Sequence, residues 1–460
     1  MANKEYRTER DSMGMVEVPA QAYYGAQTQR AVENFNISPY RIPQAMRRAL
    51  AMIKGAAAGA NSSFGLLDED IADAVVRSAR EVESTSMEEH FPLDVFQTGS
   101  GTSWNMNMNE VLAGMASRIL GKPGSVHPND HVNLGQSSND VIPSAMNIAA
   151  RIEGEKLLLE LGSLRGTLME KAEEFADQVK LGRTHLQDAV PMTVGQEFAA
   201  WAGQLERCID HIGYVMKSLE ELPLGGTAIG TGLNSSRSFA KEAVAEISRS
   251  TGIAFYPSEN PFVQIAARDE QVALMGGLNG CAVVLMKIAQ DIRLLSSGPG
   301  GGLGELSLPE LQPGSSIMPG KVNPVIPEMV IQVAAFVMGK QVSVTIGGQN
   351  APLQLNIMQP LIAHEVLCSL DLLTRASARF RERCISGITV RKGRMEEVVE
   401  RSPALVTPLA TQIGYDRAAK IAQKAHREGK TVRQVVIEEG VLTSEETSRV
   451  MDPSKMVGPF

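Results

Sequence analysis

The sequence predicts a mostly α-helical protein, and three observations lead to that prediction. Apolar residues recur over a wide arc in QVALMGGLNGCAVVLMKIAQDIRLL at 271–295, so little of such a helix can face water. Aromatic residues make up only 5% of the chain while methionines number 22, which suits long, closely packed helices better than a β-sandwich. Convincing strand-like alternation is sparse.

The strongest helical signal lies in four stretches, at residues 141–177, 190–222, 264–297 and 327–346. Helices that are apolar nearly all round have more surface to bury than the helices of one chain can cover. We therefore expect the chain to form an oligomer through a shared helix bundle.

The chain length and a change in composition predict three domains. The 460 residues correspond to about three domains of ordinary size. Near GITVRKGRMEE at 387–397, long apolar helices give way to short charged ones. We place an N-terminal, mostly helical domain at 1–136, a central long-helix bundle at 137–388 and a small C-terminal helical domain at 389–460.

Composition and charge exclude several functional classes. A net charge of −8 without any Lys/Arg-rich block argues against a nucleic-acid partner. No apolar run approaches the roughly 20 residues that a membrane span needs, and the polar N-terminus resembles no secretion signal, so we expect a cytoplasmic protein. The four cysteines are far apart and form no CxxC pair, and no GxGxxG is present. We expect reduced thiols, no metal and no cofactor.

Four polar stretches stand out against the apolar background, and each places hydroxyl or amide groups before a predicted helix. Simple N-capping can explain any single one of them. Hydroxyls, amides and helix N-termini also bind carboxylates, because free N–H groups and the helix dipole favour negative charge there. Four together indicate an anionic substrate. They are QTGSGTSWNMNMNE at 97–110, HVNLGQSSNDVIP at 131–143, GRTHLQDAVP at 182–191 and GSSIMPGKVNP at 314–324.

The stretch at 314–324 differs from a nucleotide-binding P-loop. Five residues separate Gly314 from Gly320, and Val322 follows Lys321 where a P-loop carries Ser or Thr. Ser315, next to Gly314, can supply an alkoxide base if N–H dipoles and Lys321 offset its charge. The flanking glycines and prolines fit either a lid that closes over a substrate or a flexible connection.

A histidine and a glutamate are further candidates. We expect His185, which follows Thr184, to lie at the head of a helix, where a structural histidine is the simpler alternative. Glu328 follows Pro327 at an expected helix start, where it can merely compensate the dipole. A carboxylate that holds one imidazole nitrogen would leave the other basic enough to bind or activate water.

In their order along the chain, these four stretches resemble the active-site regions of the fumarase/aspartase superfamily. The resemblance runs from YRTERDSMG to DPSKMVGP, nearly the whole chain. QTGSGT and GQSSND are most similar to class II fumarases, since aspartases tend to carry QGGAGT and QSTND there. VNPVIPE and LQLNIMQP are closer to aspartases, and Trp104 stands where a smaller polar residue is typical.

The resemblance implies a three-domain fold, a tetramer with a central helix bundle, and metal-independent, reversible hydration of fumarate to L-malate. The alternatives are an aspartate ammonia-lyase and a catalytically silent structural homologue. By position, Ser315 would remove the C3 proton of malate, and Glu328 would polarise His185. Thr184 and His185 would bind the substrate and the leaving water. The residues that would hold the substrate carboxylates are Lys321, Asn323, Ser100, Thr102, Ser137, Ser138 and Asn139.

The resemblance also implies a second dicarboxylate site near VHPND. His127, Asn129 and Asp130 match the family pattern there. Gly124 and Ser125 replace the basic residues that usually precede it, which departs from that pattern.

Overall fold

The computed structural model describes residues 5–458 and is mostly α-helical, as the sequence predicts. The α-helices of this part of the chain are α1 (Ala26–Asn34), α2 (Gln44–Ser63), α3 (Glu69–Ser84), α4 (Thr102–Ile119), α5 (Ser138–Glu174), α6 (Val194–Met216), α7 (Arg237–Thr251), α8 (Pro261–Ala266), α9 (Asp269–Leu295), α10 (Val325–Gln349), α11 (Gln359–Arg383), α12 (Lys392–Arg401), α13 (Thr407–Ile413), α14 (Tyr415–Glu428), α15 (Val432–Glu438) and α16 (Ser444–Val450).

The strands of the described residues are short and form two-stranded sheets, which pair β1 with β2, β3 with β4, β5 with β6 and β7 with β8. All pairs are antiparallel except β5 with β6, which is parallel. The strands are β1 (Tyr6–Asp11), β2 (Gly14–Pro19), β3 (Val179–Thr184), β4 (Gln187–Thr193), β5 (Glu221–Leu222), β6 (Tyr256–Pro257), β7 (Leu306–Ser307) and β8 (Thr389–Val390).

The four predicted long helices are present as α5, α6, α9 and α10, and α6 is shorter than predicted at both ends, since it ends at Met216 and not at residue 222. Residues 190–193, predicted as helix, belong to strand β4. The helix begins at Val194 because Thr193 and Gln196 form a capping box at its N-terminus. Thr193 Oγ1 accepts from the Gln196 N–H at 3.0 Å, and the Thr193 N–H donates to Gln196 Oε1 at 2.9 Å.

Contacts within the chain group it into two compact units. Unit 1 comprises the described residues up to Leu158, Asp210–Ala282 and Ala335–Thr374. Unit 2 comprises Leu159–Ile209, Val283–Ala334 and the described residues from Arg375 onward. The three-domain division from the sequence stays a prediction.

In unit 1, α2 packs against α3 and α7, and α3 packs against α4. Small residues allow close helix contacts, since a Cβ at Gly348 of α10 would lie 2.7 Å from Val272 of α9. A polar contact also joins buried helices, because Gln271 Nε2 of α9 donates to Asn147 Oδ1 of α5 at 2.8 Å. Unit 1 therefore holds its elements together by both close packing and buried hydrogen bonds.

In unit 2, the short C-terminal helices surround an apolar cluster. It includes Leu181 from β3, so the hairpin of β3 and β4 is packed onto these helices. A buried apolar contact of this kind contributes about 1.5–3 kcal/mol for each large side chain. The other fully or nearly fully buried members are Val399, Leu405, Leu409, Ile421, Ala425, Val432, Val435, Val436 and Met451.

Among the described residues, α9 and α10 are long and apolar enough to cross a membrane by length and composition alone. The most apolar window of α10 is only 28% buried within the chain. Core helices of globular proteins pass the same test. The expectation that the chain has no membrane span stays a prediction.

Candidate active site

The first group of predicted substrate-binding residues lies at the start of α4 in unit 1. The hydroxyl oxygens of Ser100 and Thr102 lie 2.7 Å apart, and Ser100 is buried. The preceding Gly99 approaches another segment so closely that a Cβ would lie 1.9 Å from the carbonyl oxygen of Ile357. The N–H of Gln359 donates to the Gly99 carbonyl at 3.0 Å. Only glycine fits at residue 99, and the backbone that presents Ser100 is therefore fixed.

The second group lies at the start of α5, also in unit 1. Ser137 Oγ accepts from the Asn139 N–H at 3.2 Å, and Asn139 Nδ2 donates to the Ala228 carbonyl at 2.8 Å. Asn105 Nδ2 of α4 donates to Ser138 Oγ at 3.0 Å, so the two helix starts are connected. Unit 1 thus brings Ser100, Thr102 and the 137–139 segment onto adjoining N-termini, where anions are favoured.

A buried carboxylate that the sequence analysis missed anchors the second group. Asp140 Oδ1 accepts from the Ser137 N–H at 2.9 Å. Its Oδ2 accepts from the N–H groups of Gly225 at 2.9 Å and Thr227 at 2.8 Å. Burial is the largest influence on this group and raises the pKa of Asp140 to about 6. The carboxyl fixes the loop before α5 against the 225–227 segment.

A buried cation supports the same loop. Lys54 Nζ donates to Asn133 Oδ1 at 2.8 Å and to Gln136 Oε1 at 2.9 Å. Its side chain is fully buried, and this burial lowers the pKa of Lys54 to about 7. A single lysine in the Ala-rich stretch AMIKGAAAGAN at 51–61 was the sequence signal for it.

The loop at 314–324 lies in unit 2 and is closed at its base. The Gly314 N–H donates to the Lys321 carbonyl at 2.7 Å, and Asn323 Nδ2 donates to the Gly314 carbonyl at 2.7 Å. A Cβ at Gly314 would lie 2.5 Å from the Lys321 carbonyl oxygen, so this closure requires glycine. The tip is open to solvent, because Ile317 is 84% exposed.

The Ser315 hydroxyl is surrounded by backbone donors. Its Oγ accepts from the N–H of Ile317 at 3.2 Å and from the N–H of Met318 at 3.0 Å. Hydrogen bonds to an oxygen favour its anionic form, so these two donors suit a serine that must act as an alkoxide.

Lys321, Asn323 and Glu328 line one cavity of about 1020 Å³ in unit 2, together with Arg293 and Arg391. The Lys321 ammonium forms no ion pair with another of residues 5–458, so it is available for a carboxylate. Glu328 lies in the first turn of α10, as expected, with its Oε1 4.0 Å from Arg293 Nε.

His185 lies in a hairpin turn, and its predicted place at the head of a helix is wrong. Thr184 pairs with Gln187, so His185 and Leu186 form a two-residue turn between β3 and β4. Their φ angles are 56° and 60°, positive at both positions as in a type I′ turn. Asn-Gly is the usual choice there, and each such non-glycine residue costs about 1–3 kcal/mol. A strained, exposed histidine at a hairpin tip fits a functional role.

The proposed pair of His185 and Glu328 is not formed within this chain. The His185 side chain makes no hydrogen bond to any residue that the structure describes, and the ion-pair contact of Glu328 is with Arg293. The pairing therefore stays a prediction, and it would need residues of different copies of the chain to meet.

The second predicted site is an exposed turn in unit 1. His127 Nδ1 accepts from the N–H groups of Asn129 at 3.3 Å and Asp130 at 3.1 Å, and so caps the turn Pro128–Val132. This capping accounts for the histidine without a ligand. Dicarboxylate binding by His127, Asn129 and Asp130 stays a prediction.

No disulfide joins Cys208, Cys281, Cys368 or Cys384 within residues 5–458. Within residues 5–458, no three or more His, Cys, Asp or Glu side chains are placed together to hold a metal ion.

Comparisons with protein families cover most of the chain. A profile described as lyase matches residues 14–339, and one described as fumarase C C-terminus matches residues 405–458. The chain is 50% identical to the class II fumarate hydratase of Nitrosomonas europaea over 458 residues, which span 98% of this chain and 99% of that protein.

Two solved structures share the fold over nearly the full length. A class II fumarase from Schistosoma mansoni superposes with a TM-score of 0.95 at 40% identity, covering 99% of this chain and 100% of that one. A protein from Brucella melitensis, described as fumarate lyase:delta crystallin bound to cobalt, has a TM-score of 0.95 at 44% identity, with coverage of 99% and 100%.

Proposed function

The chain belongs to the class II fumarate hydratase family, and we propose that it catalyses the reversible hydration of fumarate to L-malate. The observation that carries this proposal is similarity over practically the entire length to proteins of that name. An aspartate ammonia-lyase, the alternative from the sequence, is not favoured. Its support rests on VNPVIPE and LQLNIMQP alone.

In this proposal Ser315 starts the dehydration of malate as an alkoxide base. It takes the C3 proton, and the electron pair of the C3–H bond moves into the adjacent carboxylate, which becomes a doubly charged aci-carboxylate. The N–H groups of Ile317 and Met318 point at the oxygen that must carry charge before the transfer. Preorganised donors of this kind are the main means of stabilising charge in active sites.

The electron pair then forms the C2–C3 double bond, and the C2–O bond breaks to release water. Thr184 and His185 are proposed to bind the substrate and the leaving C2 hydroxyl, to which protonated His185 can deliver a proton so that it departs as water. Glu328 is proposed to orient His185 in the assembled protein. The exposure of the hairpin tip supports this pairing, because an exposed His185 can contact Glu328 of a neighbouring chain.

The doubly charged carboxylate needs positive potential from several groups. Lys321 supplies an ammonium without a carboxylate partner among the described residues, and Asn323 lies in the same cavity. The helix starts of unit 1 offer Ser100, Thr102, Ser137, Ser138 and Asn139 for the substrate carboxylates. Their N–H groups and dipoles favour anions, and no metal is needed for this binding.

We further propose a homotetramer in the cytoplasm. Helix α10 exposes apolar side chains along its length, among them Phe336, Val342 and Ile346, each at least 50% exposed. An exposed apolar surface of this kind is typical of a protein–protein interface. Other copies of the chain would supply it through a shared bundle, which sedimentation velocity would detect as a species of four chains.

Proton NMR of fumarate incubated with the protein in D2O tests the reaction directly. Anti addition to one face predicts L-malate with a single deuterium at C3, in only one of the two diastereotopic positions. An unchanged fumarate spectrum, or deuterium scrambled over both positions, would overturn the proposed hydration.

A further inference from the structure

Four charged side chains form an ion network beneath the His185 hairpin in unit 2. The Glu305 carboxylate is 1% exposed and contacts Arg183 Nη2 through Oε1, while its Oε2 lies 3.2 Å from Lys180 Nζ. Lys180, itself 3% exposed, also pairs with Glu197 Oε2 at 2.6 Å. The two cations and two anions balance, so no net charge is buried.

Burial distinguishes this network from ordinary surface pairs. Exposed ion pairs contribute little to stability, whereas removing one partner of a buried pair is strongly destabilising because it leaves an uncompensated charge. Burying a balanced set gains little stability over apolar residues of the same volume. The network is therefore better explained by its holding these side chains in one geometry than by a gain in stability.

The geometry that the network specifies is that of the hairpin tip. Arg183 immediately precedes Thr184 and His185. The His185 side chain forms no hydrogen bond to any of the described residues, so it depends on the turn for its orientation. The Glu305 backbone is held on both sides. Its N–H donates to the Leu295 carbonyl at 2.8 Å, and its carbonyl accepts from the Arg391 N–H at 2.8 Å. Glu305 is therefore a fixed point from which Arg183 is held.

We propose that Glu305 is a positioning residue for the hydration reaction, holding Arg183 so that the strained turn presents His185 in one orientation. The inference rests on the proposed function, in which His185 contacts the substrate and the leaving water. Glu305 itself touches neither. A misplacement of about 1 Å in such a group costs about 10²-fold in rate.

A double-mutant cycle tests whether Glu305 acts through His185. Glu305→Gln should lower kcat about 10- to 100-fold and change the KM for fumarate less than about 3-fold. In a His185→Asn background the same substitution should lower kcat by less than about 3-fold, because the group that it positions is already gone. Circular dichroism melting checks that each variant is folded.

Arg183→Lys provides the same test from the partner side if Glu305→Gln does not fold, since lysine keeps the charge but loses the planar fork. The matched control is Glu206→Gln, which breaks an exposed pair with Arg165 of 2.7 Å in the same unit and should leave kcat unchanged. Equal fold losses in both backgrounds, or a wild-type kcat in the single variants, would overturn the positioning role. A wild-type chain without hydratase activity would instead remove the proposed function.

Discussion

The two units hold their candidate site residues in opposite ways. In unit 1, Ser100 is buried, and fully buried Asp140 fixes the 137–139 segment through three backbone N–H groups. In unit 2, Ser315 and His185 lie on protruding segments, where Ile317 is 84% and Leu186 72% exposed. Unit 1 holds its candidate anion-binding groups rigidly, and unit 2 carries its candidate reactive groups on segments that contribute little to the fold. Substitutions in the two regions should therefore affect different quantities.

Ser315→Ala should have the largest effect, and only on catalysis. Loss of the base should reduce kcat by about 10³-fold, within the usual range for an acid–base or nucleophilic group. Because the loop is exposed, the free energy of unfolding should change by less than about 0.5 kcal/mol. Steady-state kinetics and urea unfolding of the same preparation measure both quantities. Unchanged kinetics would refute the proposed base.

Asp140→Ala should have the converse effect and primarily destabilise the protein. It leaves one buried and two part-buried N–H groups without an acceptor and Lys54 without its nearby counter-charge, so we expect a loss of about 3 kcal/mol in the free energy of unfolding. Urea denaturation measures it. Asp73→Ala on the same unit is the control, since the Asp73 side chain is 65% exposed. Equal stabilities of the two variants would contradict the anchoring role of Asp140.

Lys54→Met should change how stability depends on pH. Burial lowers the pKa of Lys54 from 10.5 to about 7, so between these values the unfolded chain binds a proton that the folded chain does not. Wild-type stability should therefore rise, relative to Lys54→Met, by roughly 2 kcal/mol from pH 7 to pH 9. Urea unfolding of both proteins at several pH values measures this difference. A constant difference across that window would show that Lys54 does not titrate there.

Leu186→Gly should give the smallest effect, a stabilisation of about 1 kcal/mol. Glycine adopts the φ of 60° without strain, and this relief exceeds the extra entropy of the unfolded chain. Thermal melting measures the change. A destabilised variant would show that the apolar contacts of Leu186 outweigh the strain of the turn.

The long helices could be predicted from the sequence because their apolar residues repeat at a helical period over many turns. α5, α9 and α10 begin or end within a few residues of the predicted bounds. The hairpin at 179–193 was missed because the usual sequence signal of a two-residue turn is Asn-Gly, and this turn has His-Leu instead. The sequence preference for turns therefore fails at the position of His185, a candidate functional residue.

The candidate polar residues could be selected from the sequence because hydroxyls and amides cluster before helices. Asp140 and Glu305 were missed because single charged residues in a sequence do not reveal burial, whereas the Ala-rich surroundings of Lys54 were a signal for it. Their partners are distant in the chain, as Asp140 with Thr227 and Glu305 with Arg183 show. Only the tertiary fold brings such groups together.

The central claim, that this chain is a fumarate hydratase, is tested most directly by absorbance in the fumarate band with L-malate or L-aspartate as the only substrate. We expect fumarate to form from malate and none to form from aspartate, and we expect Ser315→Ala to slow fumarate formation about 10³-fold. Fumarate formation from aspartate, with none from malate, would contradict the central claim.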